Sequence, residues 1–418
     1  MRHRRKKQTE PKKGLPRIAI HRRGFLAAFL LLAAIILISL RYLGNQESRR
    51  SSPSPVRASS PPETTFQPAE KWLRRAYLID ELFHYVYTPC WEGAYGAIGD
   101  AYLFAATHDS SLLRFHLFDH DLRNMCEGTW VDDRAWICLA EFTWWNVSGR
   151  KNSTLVEDAR RRYSEARAEG RLSNHEGFWS WYNWPPGAPT TERIFTNSNM
   201  NQMAAVACWL YESTGEKAFR DDALLVWNGD ARYPGIEKTL YKGNGRWEGR
   251  PGLAAFGKQI PWDGAEYCSI AAALYRITND IKYKKIVIAT ARRIMDPANG
   301  WIDLHSFYQI QMDGNGAFVN FLLDGYSAAP DELSDLLPKI GRMLEHVWTN
   351  GDGTASVTLH RESDHGIRNG WNPHGGEDGY GVNEIGTVHA QGEAVRAFGT
   401  FAYFVNAKGG ALSPRGSR

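Results

Sequence analysis

The chain has 418 residues and a formal charge of +4, but the basic excess is confined to one end. Residues 1–60 hold 14 Lys/Arg against two acids, which leaves 36 basic and 44 acidic residues in 61–418, a charge of −8. That balance removes the electrostatic support for nucleic-acid binding, and five cysteines without a CxxC pair give none for a zinc ribbon or dithiol redox motif.

Ten Lys/Arg precede Gly24, and the uncharged run "GFLAAFLLLAAIILISL" then extends to Leu40. At about 1.5 Å per residue it makes a helix of roughly 25 Å, within the range of a membrane span. The basic side should stay cytosolic, making a type II anchor with the rest lumenal or extracellular. A cleaved signal peptide is the alternative, but the apolar run exceeds a usual h-region and "SLRYLG" is a poor cleavage site. The expected organisation is a basic tail (1–23), an anchor (24–43), a Ser/Pro-rich stalk (44–68), a folded domain (69–407) and a polar tail (408–418).

The folded part lacks the strand-then-helix rhythm of a parallel sheet. Instead "WICLAEFTWWNVSGRKNS", "AAVACWLYESTGEKAF" and "SIAAALYRITNDIKY" each run from an Ala-rich apolar helix through an aromatic to a small polar turn and a basic restart. Their turn residues Gly149, Gly215 and Asn279 are 66 and 64 residues apart, and Gly or Asn is what a left-handed helix C-cap needs. One hairpin per period of about 60 residues predicts six hairpins, about twelve helices, in an all-α solenoid or a closed α/α toroid. "VHAQGEAVRAFGTFAYF", 388 to 404, supplies the last helix. Cys138, Cys208 and Cys268 fall in the apolar helices and should be small buried residues, whereas Cys90–Cys126 is the disulfide to test. The sequons at Asn146 and Asn152 flank one predicted turn and fit a glycosylated lumenal loop.

"TWVDDRAWICLAEFTWW", 129 to 145, sets Asp132 and Asp133 side by side in the first turn of a predicted helix starting near Val131. Adjacent carboxylates repel and lose hydration near apolar surface, so the pair has a cost. One use is capping, since acids suit the helix N-terminus, but capping requires only one acid and no aromatic surroundings. The other use is chemistry. Sixteen tryptophans exceed ordinary core needs, and many lie in Gly/Asn-rich stretches: "EGFWSWYNWPPG", "NGRWEG", "IPWDGAEY", "NGWIDLHSFY" and "IRNGWNPHGG". Flat aromatic faces beside Asn, Gln and Asp suit sugar rings. Neighbouring carboxyls about 5–6 Å apart suit retaining glycoside hydrolysis, with repulsion keeping one acid protonated beside an ionised nucleophile. Substrate-binding candidates are Trp130, Trp136, Trp181, Asn199, Trp262 and Asp263.

These residues resemble glycoside hydrolase family 76, the α-1,6-mannanases, over about 72–404. "WVDDRAWICLAEF" looks like the family's aspartate pair before a Trp-containing helix, and "FTNSNMNQMAAVACWLYESTGE" and "PWDGAEYCSIAAALYRITND" resemble further segments. The resemblance implies an (α/α)6 barrel and retaining endo-hydrolysis of α-1,6-mannosidic linkages, with Asp132 as nucleophile and Asp133 as acid/base. Asp263 stands where an Asn is expected. Fungal relatives act on wall mannoproteins and commonly carry a C-terminal anchor signal, whereas "NAKGGALSPRGSR" is polar here.

"MDGNG" and "NGDG" lack the full calcium-loop ligand series, "HGGEDGYG" has no phosphate-loop lysine, and His84, His116 and His120 show no metal-ligand pattern. "DDRAW" fails the DDxxD spacing of prenyl-diphosphate enzymes. The expectation is a monomeric, cofactor-free and metal-free mannan hydrolase or transglycosylase. The alternative is a glycan-binding protein that keeps the aromatic cleft without turnover.

Overall fold

The computed structural model describes residues 68–86, 91–112, 131–169, 201–231, 234–247, 261–296, 315–349, 359–360, 366–367 and 388–409. All its helices belong to one compact unit. Twelve α-helices are described: α1 (Pro68–Val86), α2 (Trp91–Thr107), α3 (Val131–Val147), α4 (Ser153–Glu169), α5 (Met203–Thr214), α6 (Lys217–Asn228), α7 (Gly235–Leu240), α8 (Pro261–Thr278), α9 (Ile281–Ile294), α10 (Asn315–Ala328), α11 (Leu336–Thr349) and α12 (Val388–Gly409). Regular β-structure among the described residues is confined to an antiparallel pair, β1 (Leu359–His360) with β2 (Gly366–Ile367), and one bridge between Tyr241 and Trp247.

The helices are of two kinds, and their sequences say which is which. α3 buries thirteen of its seventeen residues, so it is enclosed on all sides. α9 buries only the stripe Tyr283, Ile286, Val287, Thr290, Ala291 and Ile294, a strict helical period, while Arg292 and Arg293 sit in its last turn. Asp280 caps it, accepting from the Lys282 amide at 2.9 Å. Packing follows this division. α2, α3, α5, α8, α10 and α12 each pack on the next, and α12 returns onto α2, which closes a ring of six inner helices. α1, α4, α6, α9 and α11 pack outside them. The all-helical toroid expected from the repeat is present, with the short α7 as the twelfth helix. A small repeated device ties the layers: the Cys138 and Cys268 thiols on inner helices each donate to a carbonyl of the following outer helix, Ala159 and Val287, at 3.7 Å. Cys138, Cys208 and Cys268 are buried thiols outside any disulfide, as expected. Cys90 and Cys126 lie outside the described residues.

The ring closes by backbone approach. A Cβ added at Gly99 of α2 would stand 2.4 Å from the Val395 carbonyl of α12, and one added at Gly399 would stand 2.6 Å from the Gly99 carbonyl oxygen. Only glycine at both positions lets the two helices meet this closely. Trp72 of α1 flanks the seam, its ring 4.8 Å edge-on from Phe401.

The turns that lead from inner to outer helices are short, and three have the predicted chemistry. Gly149, Gly215 and Asn279 all take positive φ, at 83°, 74° and 54°. Gly215 donates its amide to the Tyr211 carbonyl at 2.8 Å and Asn279 to that of Tyr275 at 2.8 Å. No described helix is long and apolar enough to cross a membrane. The anchor expected over 24–43 and the stalk lie outside the described residues.

Candidate active site

Because an outer helix returns the chain between α3 and α5, α5 and α8, α8 and α10, and α10 and α12, these inner helices run in one direction and their N-termini share one end of the ring. The aspartate pair stands there. α3 begins at Val131, and Asp132 and Asp133 occupy its first turn, where exposed amides favour negative charge. Their surroundings differ: Asp132 is partly exposed, whereas Asp133 is buried at 7%.

At the same end, Asn201 and Gln202 are fully buried at the start of α5. Gln202 reaches across to α8, its Nε2 donating to the Glu266 carbonyl at 3.2 Å. Glu266 itself is fully buried one turn into α8.

One turn along α3 from the aspartates lies an aromatic layer contributed by three helices. Trp136 stacks on Phe321 of α10 with centroids 5.9 Å apart, and lies 5.1 Å from Tyr95 of α2. The fully buried Arg396 of α12 sits against all three rings, its guanidinium carbon 5.5 Å from Tyr95, 5.2 Å from Trp136 and 4.9 Å from Phe321. Arg396 Nε donates to Asn320 Oδ1 at 2.8 Å. Asn320 Nδ2 continues to Asp324 at 3.4 Å, and Ser269 of α8 donates to the other Asp324 oxygen at 2.8 Å. Burial pushes Asp324 up to about 6, against the Ser269 hydrogen bond and the Arg396 charge that favour its anion. A cation, its aromatic box and a counter-carboxylate thus bind five inner helices together beneath the aspartate pair.

Trp136 therefore differs from its expected role. At 3% exposure it is enclosed by Tyr95, Phe321 and Arg396, so its faces serve packing under the aspartates and offer no open platform to a sugar. Trp247, one of the loop tryptophans counted toward a sugar platform, is likewise core: it is buried at 2%, stacks 4.5 Å from Tyr267 and donates Nε1 to Thr290 at 3.0 Å. Positions 262 and 263 fall in the first turn of α8, at the aspartate end, with side chains outside the described set. Trp130, Trp181 and Asn199 lie outside the described residues.

Arg396, Tyr95, Phe321, Asn320, Asp324 and Gln202 were not anticipated. The signal was charge inside an apolar helix, Glu393 and Arg396 in "GEAVRAFGTF" and Asp324 in "FVNFLLDGY", which a buried site must pair. Among the described residues, only Asp80, His84 and Asp100 bring three possible metal-ligand atoms together, all within 4.8 Å. His84, which shows no metal-ligand pattern in the sequence, thus meets one carboxylate of its own helix and one, Asp100, from a second.

No protein-family model and no curated protein matches the sequence. Solved structures do match in fold. The GH76A α-1,6-mannanase of Salegentibacter sp. HEL1_6 superposes with a TM-score of 0.57 at 15% identity, over 80% of this chain and 99% of that one. A variant of it with two adjacent aspartates replaced by alanine, described as inactive and bound to α-1,6-mannotetrose, gives 0.58 at 16% identity over 79% and 98%. Dfg5 from Chaetomium thermophilum, in complex with glucosamine, gives 0.57 at 13% identity over 85% and 93%. The fold is that of the family 76 glycoside hydrolases.

Proposed function

We propose that this protein is a retaining glycoside hydrolase acting on α-1,6-mannosidic linkages, held to a membrane by residues 24–43 with its toroid in the lumen or outside the cell. The observation that carries this is the pair Asp132–Asp133 in the first turn of an inner helix of a family 76-like toroid, one carboxyl partly open and its neighbour enclosed. The inactive mannanase variant, changed at two adjacent aspartates, supports the same assignment of chemistry to an adjacent pair.

In this mechanism Asp132, the more open acid, attacks the anomeric carbon and forms a covalent glycosyl-enzyme. Asp133 protonates the departing oxygen and then activates the water, or acceptor sugar, that releases the product. The buried layer of Arg396 and its three rings holds the first turn of α3 from below.

An aryl α-mannoside with a good leaving group tests the roles, because its first step needs no protonation. Asp133→Ala should form the intermediate rapidly, accumulate it, and be accelerated by azide to a glycosyl azide with net retention. Asp132→Ala should trap no intermediate, and any azide rescue should invert the anomeric centre. Inversion by the unmutated enzyme would eliminate the retaining mechanism. Binding of α-1,6-mannotetraose without turnover by the wild type would instead identify a glycan-binding protein.

A further inference from the structure

We propose that Asp80, His84 and Asp100 form a binding site for one divalent metal ion of the zinc class, which fastens α1 to α2 beside the seam where the ring closes. Asp80 and His84 are one turn apart on α1, and Asp100 reaches them from α2. His84 Nε2 lies 2.8 Å from Asp80 Oδ1 and 3.3 Å from Asp100 Oδ2, so one imidazole nitrogen and two carboxylate oxygens converge on a single point.

Ligands about 2.0–2.2 Å from a tetrahedral zinc stand roughly 3.3–3.6 Å from one another. The Asp100 contact already has that spacing, and the Asp80 contact reaches it by opening about half an ångström, within what a side-chain torsion allows. One nitrogen and two oxygens leave a fourth position for water and suit a borderline ion better than calcium, which takes six to eight oxygens.

Burial argues the same way. Asp100 is fully buried and Asp80 is 5% exposed. Two enclosed carboxylates facing one imidazole carry more negative charge than a single imidazolium cancels, and a divalent ion removes that deficit.

The position has structural meaning. α1 and α2 are two of the helices onto which α12 packs, and Gly99, the residue before Asp100, makes the closest backbone approach of the seam.

The test uses the full chain, untagged and stripped with chelator, titrated with zinc chloride and separately with cobalt chloride. Wild type should bind one zinc, melt at a higher temperature with zinc than without, and give the visible absorption of tetrahedral cobalt(II). His84→Gln and Asp80→Asn keep hydrogen-bonding shape and should lose affinity by more than about a hundredfold, beyond the effect of an outer-shell change. Either variant suffices if the other fails to fold. A wild type that neither binds zinc nor shows the cobalt spectrum would overturn the proposal and leave the three side chains as an ion-paired cluster. Zinc affinity unchanged in both variants would overturn it as well, by placing the metal elsewhere.

Discussion

Asp324 is the carboxylate beneath the proposed site with a titration that can be followed. Its ordinary value of 3.8 rises to about 6 in the folded protein, with burial as the main cause. A raised carboxyl binds its proton more tightly folded than unfolded, so its contribution favours folding at acid pH and is lost as pH climbs from about 4 to about 6. Asp324→Asn removes that titration while keeping an oxygen for Ser269. Relative to wild type, the variant should gain about 3 kcal/mol between pH 4 and pH 7, the equivalent of a two-unit shift, as read from denaturant unfolding at both values. A difference that stays flat with pH would show that Asp324 is ionised throughout. Arg396 is tested in the same framework. Arg396→Met keeps apolar volume but strands the Asp324 carboxylate, so it should cost about 3–5 kcal/mol at pH 7, and adding Asp324→Asn should recover much of that. At this scale the sequence was only partly legible. The aspartate pair announced itself because two adjacent acids in an aromatic helix have a visible cost. Arg396 and Asp324 looked like isolated anomalies, because their partners lie on other helices and a linear pattern does not say which helices face each other. Trp136 and Trp247 misled in the opposite direction. Composition placed them near sugar-like neighbours, while packing against Phe321 and Tyr267 decided their role.

Glycines distinguish two ways in which an element can depend on a missing side chain. Gly215 ends α5 at φ 74° with open space where a Cβ would go, so Gly215→Ala should cost only the left-handed conformation, about 1–2 kcal/mol. Gly99 is helical, and its Cβ would collide with the Val395 backbone, which cannot swing aside as a side chain would. Gly99→Ala must push α2 from α12 and should destabilise by about 1–3 kcal/mol or more. It should also disturb Tyr95 and Arg396, which lie on those two helices. Tryptophan emission and thermal melts of the two variants separate the cases: Gly215→Ala should lower the midpoint with native emission, and Gly99→Ala should change both. The caps were legible because left-handed geometry has a narrow residue preference. The seam was not, since a glycine in an Ala-rich helix looks like any other small residue until its opposite number, Gly399, is known.

The number of residues between consecutive described helices is uneven around the ring. The inner-to-outer turns have two residues between α5 and α6, two between α8 and α9, and five between α3 and α4. The returns to inner helices run to 33 residues before α5, 20 before α10 and 38 before α12. This asymmetry is readable from the sequence, because tight turns repeat and Trp-rich stretches do not. Both sequons belong to the short-turn end. Asn146 is exposed in the last turn of α3, and Asn152 accepts from the Thr154 amide at 3.2 Å at the start of α4. If the toroid is lumenal, a glycan on either asparagine projects from the end opposite the aspartates. Enzymatic deglycosylation of secretory-pathway protein should shift its mass and leave mannan turnover unchanged. Protease digestion of the large domain in intact vesicles without detergent would reverse the orientation.

The seam between α2 and α12 also sets a schedule. Its partners, such as Gly99 and Gly399, are 300 residues apart, and contacts that distant form late because so much chain must first be brought together. A nascent chain carries Asp132 and Asp133 through the ribosome long before α12 emerges to bring Arg396 against Trp136. The two acids are thus translated early and given their support late. A polypeptide stalled or cut between them and α12 displays the aspartate pair on an unclosed arc, with the apolar inner faces of α2 and α10 open to the folding machinery. Closure by the final helix then acts as a completeness check, after which the carboxyl pair gains its rigid bed.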